Sequence, residues 1–190
     1  MVINFIPEGK TDEELVQLTL KNKEFFSYLV NRYSIKLSRY IIRISGLGRE
    51  DADDLLQDIF IKAYKNLNNF DRRLKFSSWI YRIAHNQVID NFRRRRVRPG
   101  QIYWEDNGNI LVKLLADDDV IQRIDSQIDR RKIYQAIERL DYKYKEVLEL
   151  RFLEERNYQE ISDILKKPVG TIASLINRAK LKLSEQLNKS

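Results

Sequence analysis

Apolar side chains recur at helical spacing from Phe25 to Ile44, with Phe25, Phe26, Leu29, Val30, Tyr33, Leu37, Tyr40, Ile41 and Ile44 forming one stripe. This pattern predicts a helix with a single core-facing side. Gly46 and Gly48 end it, and Glu50, Asp51, Asp53 and Asp54 favour a new helix start by complementing its dipole. Leu55, Leu56, Ile59, Phe60, Ala63, Tyr64 and Leu67 then give the clearest helical stripe in the chain. After a polar turn from Asn68 to Lys75, Ser77 or Ser78 is placed to cap a third long helix through Trp79 to about Arg95. Its inward residues are Ile80, Ile83, Ala84, Val88 and Phe92, and Arg93 to Arg96 followed by Pro99-Gly100 close this first unit.

From Gln101 to about Ser126 the periodicity fails, and Asn107, Gly108 and Asn109 predict an irregular, mobile linker. Helical patterning returns with Ile133, Ala136, Ile137 and Leu140, then with Tyr144, Val147, Leu148 and Phe152 on a helix that Asp141 is placed to cap. In the final segment a short helix with Ile161 and Leu165 inward leads through a tight turn at Lys166 to Pro168. A longer helix follows, beginning near Val169, since proline cannot continue one helix but can open the next. Ile172, Ile176, Ala179 and Leu183 make its buried stripe. The expected fold is all-α: two small helical domains, residues 1–98 and 129–190, joined by a flexible acidic linker over 99–128, with a helix-turn-helix in the C-terminal domain.

Composition supports this layout and removes several kinds of chemistry. Six glycines and three prolines in 190 residues, with few alternating runs, argue against a sheet-rich fold. With no cysteine and one histidine, disulfide frameworks, thiolate metal sites and cysteine nucleophiles are excluded. The opening MVINFIPEGKTDEE lacks a basic stretch followed by an apolar one, and no run approaches the roughly 20 apolar residues that span a bilayer. A cytoplasmic protein without membrane insertion is therefore expected. The net charge of +7 is unevenly spread: 18 Lys and Arg stand against 12 Asp and Glu in residues 1–96, 3 against 7 in 97–129, and 14 against 9 in 130–190. Two basic blocks thus flank an acidic connector, and basic blocks favour polyanions through counterion release.

On the last helix, Thr171, Ser174, Leu175 and Arg178 lie opposite the buried stripe and would face a DNA major groove, with Lys180 and Lys182 near phosphates. Each also has a plainer reading, such as a capping hydroxyl at Thr171 or a dipole-compensating cation near the helix end. The run PVGTIASLINRAKLKL resembles the recognition helix of the C-terminal domain of bacterial sigma factors of the sigma-70 family, especially the extracytoplasmic-function (ECF) group. That family usually carries basic residues where this chain has Ala173 and Leu175. Arg178 then becomes the main candidate for upstream promoter contact, and Leu175 could meet a thymine methyl group.

The stretch DADDLLQDIFIKAYKNLNNFDRRLKFSSWIYRIAHNQVIDNFRRRR resembles the family's other domain almost end to end. The resemblance implies that the helix matching Asp51 to Leu67 binds core RNA polymerase, with Leu55, Gln57, Asp58 and Phe60 at the contact. It implies that the next turn and helix recognise and melt the start-proximal promoter element through Phe76, Ser77, Trp79, Arg82, Asn86, Asp90, Arg93 and Arg94. A face mixing an aromatic, an amide and cations suits unpaired bases, which need stacking partners, phosphate contacts and edge contacts. The plainer reading of Phe76 and Trp79 is a strong one, because such aromatics are more often core than base platforms. By the same resemblance the acidic linker threads polymerase channels, its plainer reading being a tether.

The implied activity is promoter-specific transcription initiation, with core RNA polymerase, promoter DNA and an anti-sigma protein as partners. No catalytic residue, cofactor, metal or obligate homo-oligomer is called for. A helix-turn-helix regulator that never joins polymerase is the main alternative, and it leaves the match in residues 51–96 unexplained. A metal-dependent nuclease using Asp51, Asp53, Asp54 and Asp58 would be a second, but His85 is the single histidine and no acid–base constellation accompanies the aspartates.

Overall fold

A computed structural model describes residues 9–95, 135–137 and 139–188, and among them the regular structure is helical throughout. The linker expected over 99–128, and Ile133 at the start of the second helical set, lie outside the described residues.

The first helix, α1 (Asp12–Lys21), has no counterpart in the stripes read from sequence. A capping box starts it: Glu14 N–H donates to Thr11 Oγ1 at 3.2 Å and Thr11 N–H to Glu14 Oε2 at 2.8 Å. Asn22 ends α1 and its side chain caps a 3-10 turn, Lys23–Phe25, that feeds α2 (Phe26–Ser45). Gly46 closes α2 in the left-handed region at φ 66°, donating to the Ile42 carbonyl at 2.8 Å. The next helix, α3 (Arg49–Lys65), starts from Gly48 without a side-chain cap, its first turn carrying Glu50 and Asp51 against the helix dipole.

The third long helix, α4, runs Phe76–Arg95 and begins before either serine expected to cap it. Its first amide is taken by a distant residue instead, with Phe76 N–H donating to Glu13 Oε1 at 3.0 Å. Ser78 is fully buried with its hydroxyl unpartnered among the described residues. Tyr64, expected inward on α3, is 43% exposed. The buried positions of that helix are Ala52, Leu55, Ile59 and Ala63, a stripe so narrow that Tyr64 falls on its rim.

In the C-terminal domain, α5 (Tyr142–Leu148) opens after Asp141, whose side chain makes no cap bond, and continues as a π-helical stretch, Glu149–Leu153. A second capping box, Asn157 with Glu160, starts α6 (Tyr158–Leu165). Lys166 takes the left-handed conformation at φ 52°, and the Pro168 carbonyl accepts from Thr171 and Ile172 as α7 (Val169–Asn188) begins. The expected inward stripe of α7, Ile172, Ile176, Ala179 and Leu183, is buried.

The two domains share one continuous apolar core. Helix α6 lies along α4, so α4 is covered on two sides: Ile80, Ala84 and Val88 are buried with the neighbouring helices of its own domain, and Tyr81 is buried toward the C-terminal domain. Four consecutive buried residues, Ser78, Trp79, Ile80 and Tyr81, are what such a doubly covered helix requires.

Candidate nucleic-acid interface

The turn before α4 and its first helical turn are built on aromatics. Phe70, Phe76 and Trp79 pack with ring centroids 5.4 to 5.8 Å apart, and Tyr33 of α2 meets Phe76 edge-on at 5.6 Å. Phe76 is 1% exposed and Trp79 8%, which corrects the expectation that they stand ready to contact bases. Their edge-to-face geometry holds the turn onto the core. The turn itself is pinned by Asp71, whose carboxylate takes the Arg73 guanidinium and backbone amide and is held at about 2 by those bonds.

The polar strip of α4 survives as a surface. Asn86, Arg93 and Arg94 are exposed, Ser77 and Asp90 are half-buried, and Arg93 lies 3.6 Å from Asp90 one turn back. Arg82 departs from it. Half-buried, with its Nε enclosed and unpartnered among the described residues, Arg82 lines a cleft of about 400 Å³ with Leu74 and with Ser162, Asp163, Lys166, Lys167 and Pro168 of the helix-turn-helix.

On α7, Thr171, Ser174, Arg178 and Lys182 are exposed and Leu175 is half-buried. Ser174 donates back to the Gly170 carbonyl at 2.9 Å, a local bond that DNA would have to replace or share. Lys180 is not on this face. It is 4% exposed, with its ammonium 5.8 Å from the centre of the Phe152 ring. Position 180 is four residues beyond Ile176 and three before Leu183, so helical geometry assigns it to the buried stripe. Lys182 leans toward the Tyr144 ring, its ammonium 5.7 Å from the centroid. Lys166 and Lys167, both exposed at the turn immediately before α7, add a cation pair that the helical pattern alone does not single out.

The α3 residues expected at the polymerase contact divide in the same manner. Gln57 and Asp58 are exposed and Phe60 is half-buried against Phe26, but Leu55 is 3% exposed and belongs to the core. Ile61, 51% exposed, and Tyr64 extend the accessible apolar surface beside Phe60. Tyr64 is fixed by an edge contact with Phe26 at 5.1 Å.

Beneath the α4–α6 contact lies a buried polar cluster that no local pattern foretold. Arg43, in the last turn of α2, donates through Nε to Glu149 and through Nη2 to Glu154 Oε1 at 2.5 Å. Tyr81 O–H donates to the other oxygen of Glu154, and the Arg156 guanidinium stacks 4.4 Å above the Tyr81 ring. Burial pushes the Glu149 carboxyl up to about 8 against the pull of Arg43, with Glu154 adding to the rise. Near neutral pH the protonated form of Glu149 is thus favoured beside the Arg43 guanidinium. Lys75 Nζ lies 2.8 Å from Glu160 Oε1, and His85 Nδ1 lies 2.8 Å from Glu146 Oε1, within ion-pair reach but turned out of hydrogen-bond geometry. Burial raises the Glu160 carboxyl, but Lys75 and the Asn157 amide outweigh it and hold it below its ordinary value. Among the described residues no group of acidic and histidine side chains is placed to hold a metal ion, and no helix is long and apolar enough to cross a membrane.

Residues 29–98 match the family described as Sigma-70 region 2, and residues 130–183 match Sigma-70, region 4. The chain is 30% identical over 182 residues to the ECF RNA polymerase sigma factor SigW of Bacillus subtilis, covering 92% of this chain and 95% of that protein. It is 34% identical over 179 residues to the ECF RNA polymerase sigma-E factor of Haemophilus influenzae, covering 91% and 93%. The structure of CnrH in complex with the cytosolic domain of CnrY superposes with a TM-score of 0.66 at 25% identity, covering 95% of this chain and 99% of that one.

Proposed function

The chain belongs to the extracytoplasmic-function group of the sigma-70 family, and from that membership we propose how its two domains divide the work of directing core RNA polymerase to promoters. The observation that carries this reading is the pair of family segments, in order along one chain, each presenting an exposed polar strip on a buried scaffold.

The region 2 domain attaches to polymerase through α3, with Gln57, Asp58 and Phe60 at the contact and Leu55 supporting them from the core. Its α4 strip reads the start-proximal element. Asn86 offers an amide to the edge of an unpaired base, Ser77 and Asp90 flank it, and Arg82, Arg93 and Arg94 take phosphates. Phe76 and Trp79 act from beneath by fixing the turn. Opening the duplex needs no nucleotide hydrolysis: unpairing a base costs a few kcal/mol, and stacking or capturing it returns about 1–3 kcal/mol. The protein performs no bond chemistry in this process and acts in the cytoplasm.

The region 4 domain reads the upstream element with Thr171, Ser174, Leu175 and Arg178, while Lys166, Lys167 and Lys182 meet phosphates. With Ala173 and Leu175 apolar, Arg178 carries most of the charge on this face. An anti-sigma protein that covers both domains is the expected inhibitor, by analogy with CnrH, which is solved in complex with the cytosolic domain of CnrY.

Reconstituted transcription tests the reading: core polymerase plus this chain initiates from a subset of a promoter library and neither component does so alone. Failure of the chain to associate with core polymerase in gel filtration overturns it and returns the helix-turn-helix regulator.

A further inference from the structure

We propose that the cleft between α4 and the helix-turn-helix is a binding site for a nucleoside polyphosphate. The site goes beyond the sigma-factor reading and does not depend on it.

Three cations converge on this cleft: Arg82 from α4, and Lys166 and Lys167 from the turn before α7. Elsewhere between the same two domains a cation has an acid opposite it, Arg43 with Glu149 and Glu154, and Lys75 with Glu160. None of the three cleft cations forms an ion pair among the described residues. The two acids near them have other partners. Asp71, which feels the charge of Arg82, takes the Arg73 guanidinium at 2.7 Å, and Asp163 accepts from Gln159 Nε2 at 3.1 Å. Like charges gathered around one cleft repel one another, and a polyanion between them turns that repulsion into attraction from every side.

Both walls hold their cations in place. Arg82 is half-buried with its Nε enclosed, which limits the directions its guanidinium can take. On the other wall the Ser162 carbonyl accepts from the Lys166 and Lys167 amides, and the Ser162 hydroxyl donates to the Lys167 carbonyl at 2.6 Å. The turn is thus fixed by its own bonds, its amides are occupied, and recognition falls to the two ammonium groups.

The rest of the lining selects what is joined to the phosphates. A volume of about 400 Å³ is that of a small-molecule pocket and more than a lone phosphate fills. Leu74 and Pro168 give an apolar edge for a flat base. The Asp163 carboxylate has acceptor capacity beyond its bond to Gln159, which suits sugar hydroxyls or a base amino group. Its charge repels phosphate, so the ligand lies with its phosphates toward Arg82 and the lysines.

Isothermal titration of the full chain with ATP, tripolyphosphate and adenosine tests the site. ATP is expected to bind saturably at one site per chain, tripolyphosphate several-fold more weakly, and adenosine not at all. Arg82→Gln and Lys167→Gln, one on each wall, should each weaken ATP binding by about tenfold, the effect of one charge-assisted hydrogen bond. Lys36→Gln, exposed on α2 and outside the cleft, should leave it unchanged. Lys167 is exposed at the turn, so its variant keeps the test open even where Arg82→Gln disturbs the packing of α4. Absence of saturable ATP binding overturns the site. Equal binding of ATP and tripolyphosphate overturns the nucleoside part, and an equal loss in Lys36→Gln reduces the binding to bulk attraction. A loss in Lys167→Gln with none in Arg82→Gln puts the phosphates on the helix-turn-helix alone and overturns the cleft.

Discussion

Replacing Glu149 with glutamine should erase a pH dependence that the wild-type chain carries. Glu149 is fully buried at the end of α5 and faces Arg43 from α2, with Glu154 and the hydroxyls of Tyr40 and Tyr81 close to the same cluster. Its carboxyl is raised from an ordinary 4.5 to about 8, chiefly by burial. Between those two values the folded protein keeps a proton that the unfolded chain has released. Stability from this group is therefore fully present below about pH 4.5, declines by about 1.4 kcal/mol per pH unit, and is lost once pH passes about 8. The whole window is worth roughly 5 kcal/mol, of which replacing the acid by an amide with imperfect hydrogen bonding returns about 1–2 kcal/mol. Glutamine is neutral throughout, so Glu149→Gln should match wild type within about 1–2 kcal/mol at pH 5 and be more stable by about 3 kcal/mol at pH 8.5. Urea unfolding followed by circular dichroism from pH 5 to 9 measures this directly. The remaining titratable groups are common to both proteins and cancel in the difference. A difference that stays flat over the range shows that Glu149 is ionised in the folded state and that the assignment of charges in the cluster is wrong.

Other outcomes follow from the placement of individual side chains. Asn86→Ala is expected to leave closed-promoter binding intact and slow strand opening, read by permanganate reactivity; normal opening removes Asn86 from base capture. Arg178→Ala should weaken upstream recognition by about 1–3 kcal/mol in competition binding, whereas Lys180→Ala should leave the salt slope of DNA binding unchanged because that ammonium faces Phe152. A reduced slope in Lys180→Ala would place the residue on the DNA. Ile61→Ser, at a half-exposed position, should change the melting temperature little and weaken binding to core polymerase several-fold, which a pull-down titration decides. Thr11→Ala breaks the capping box of α1 and should cost about 0.5–2 kcal/mol by urea unfolding.

What the sequence determined by itself was everything that repeats within one helix. The stripe Ile172, Ile176, Ala179, Leu183 needs only the 3.6-residue period to be found, as does the break at Lys166 to Pro168, and the family resemblance rests on the same local runs. Even Lys180 was legible in principle, since its spacing from Ile176 and Leu183 already placed it inward. What the tertiary structure decided was the fate of residues whose neighbours lie far away in sequence. Phe76 and Trp79 carried a base-platform reading beside the commoner core one, and Tyr33 and Phe70 closing around them decided for the core. Helix α4 took its first cap from Glu13, 63 residues earlier, which no inspection of Ser77 or Ser78 could reveal. Tyr81 and Arg43 carried no periodic signal because both belong to a contact between domains, where partners 73 to 111 residues apart satisfy one another. Pattern along a chain reports which side of a helix leaves water; it does not report what arrives to cover it.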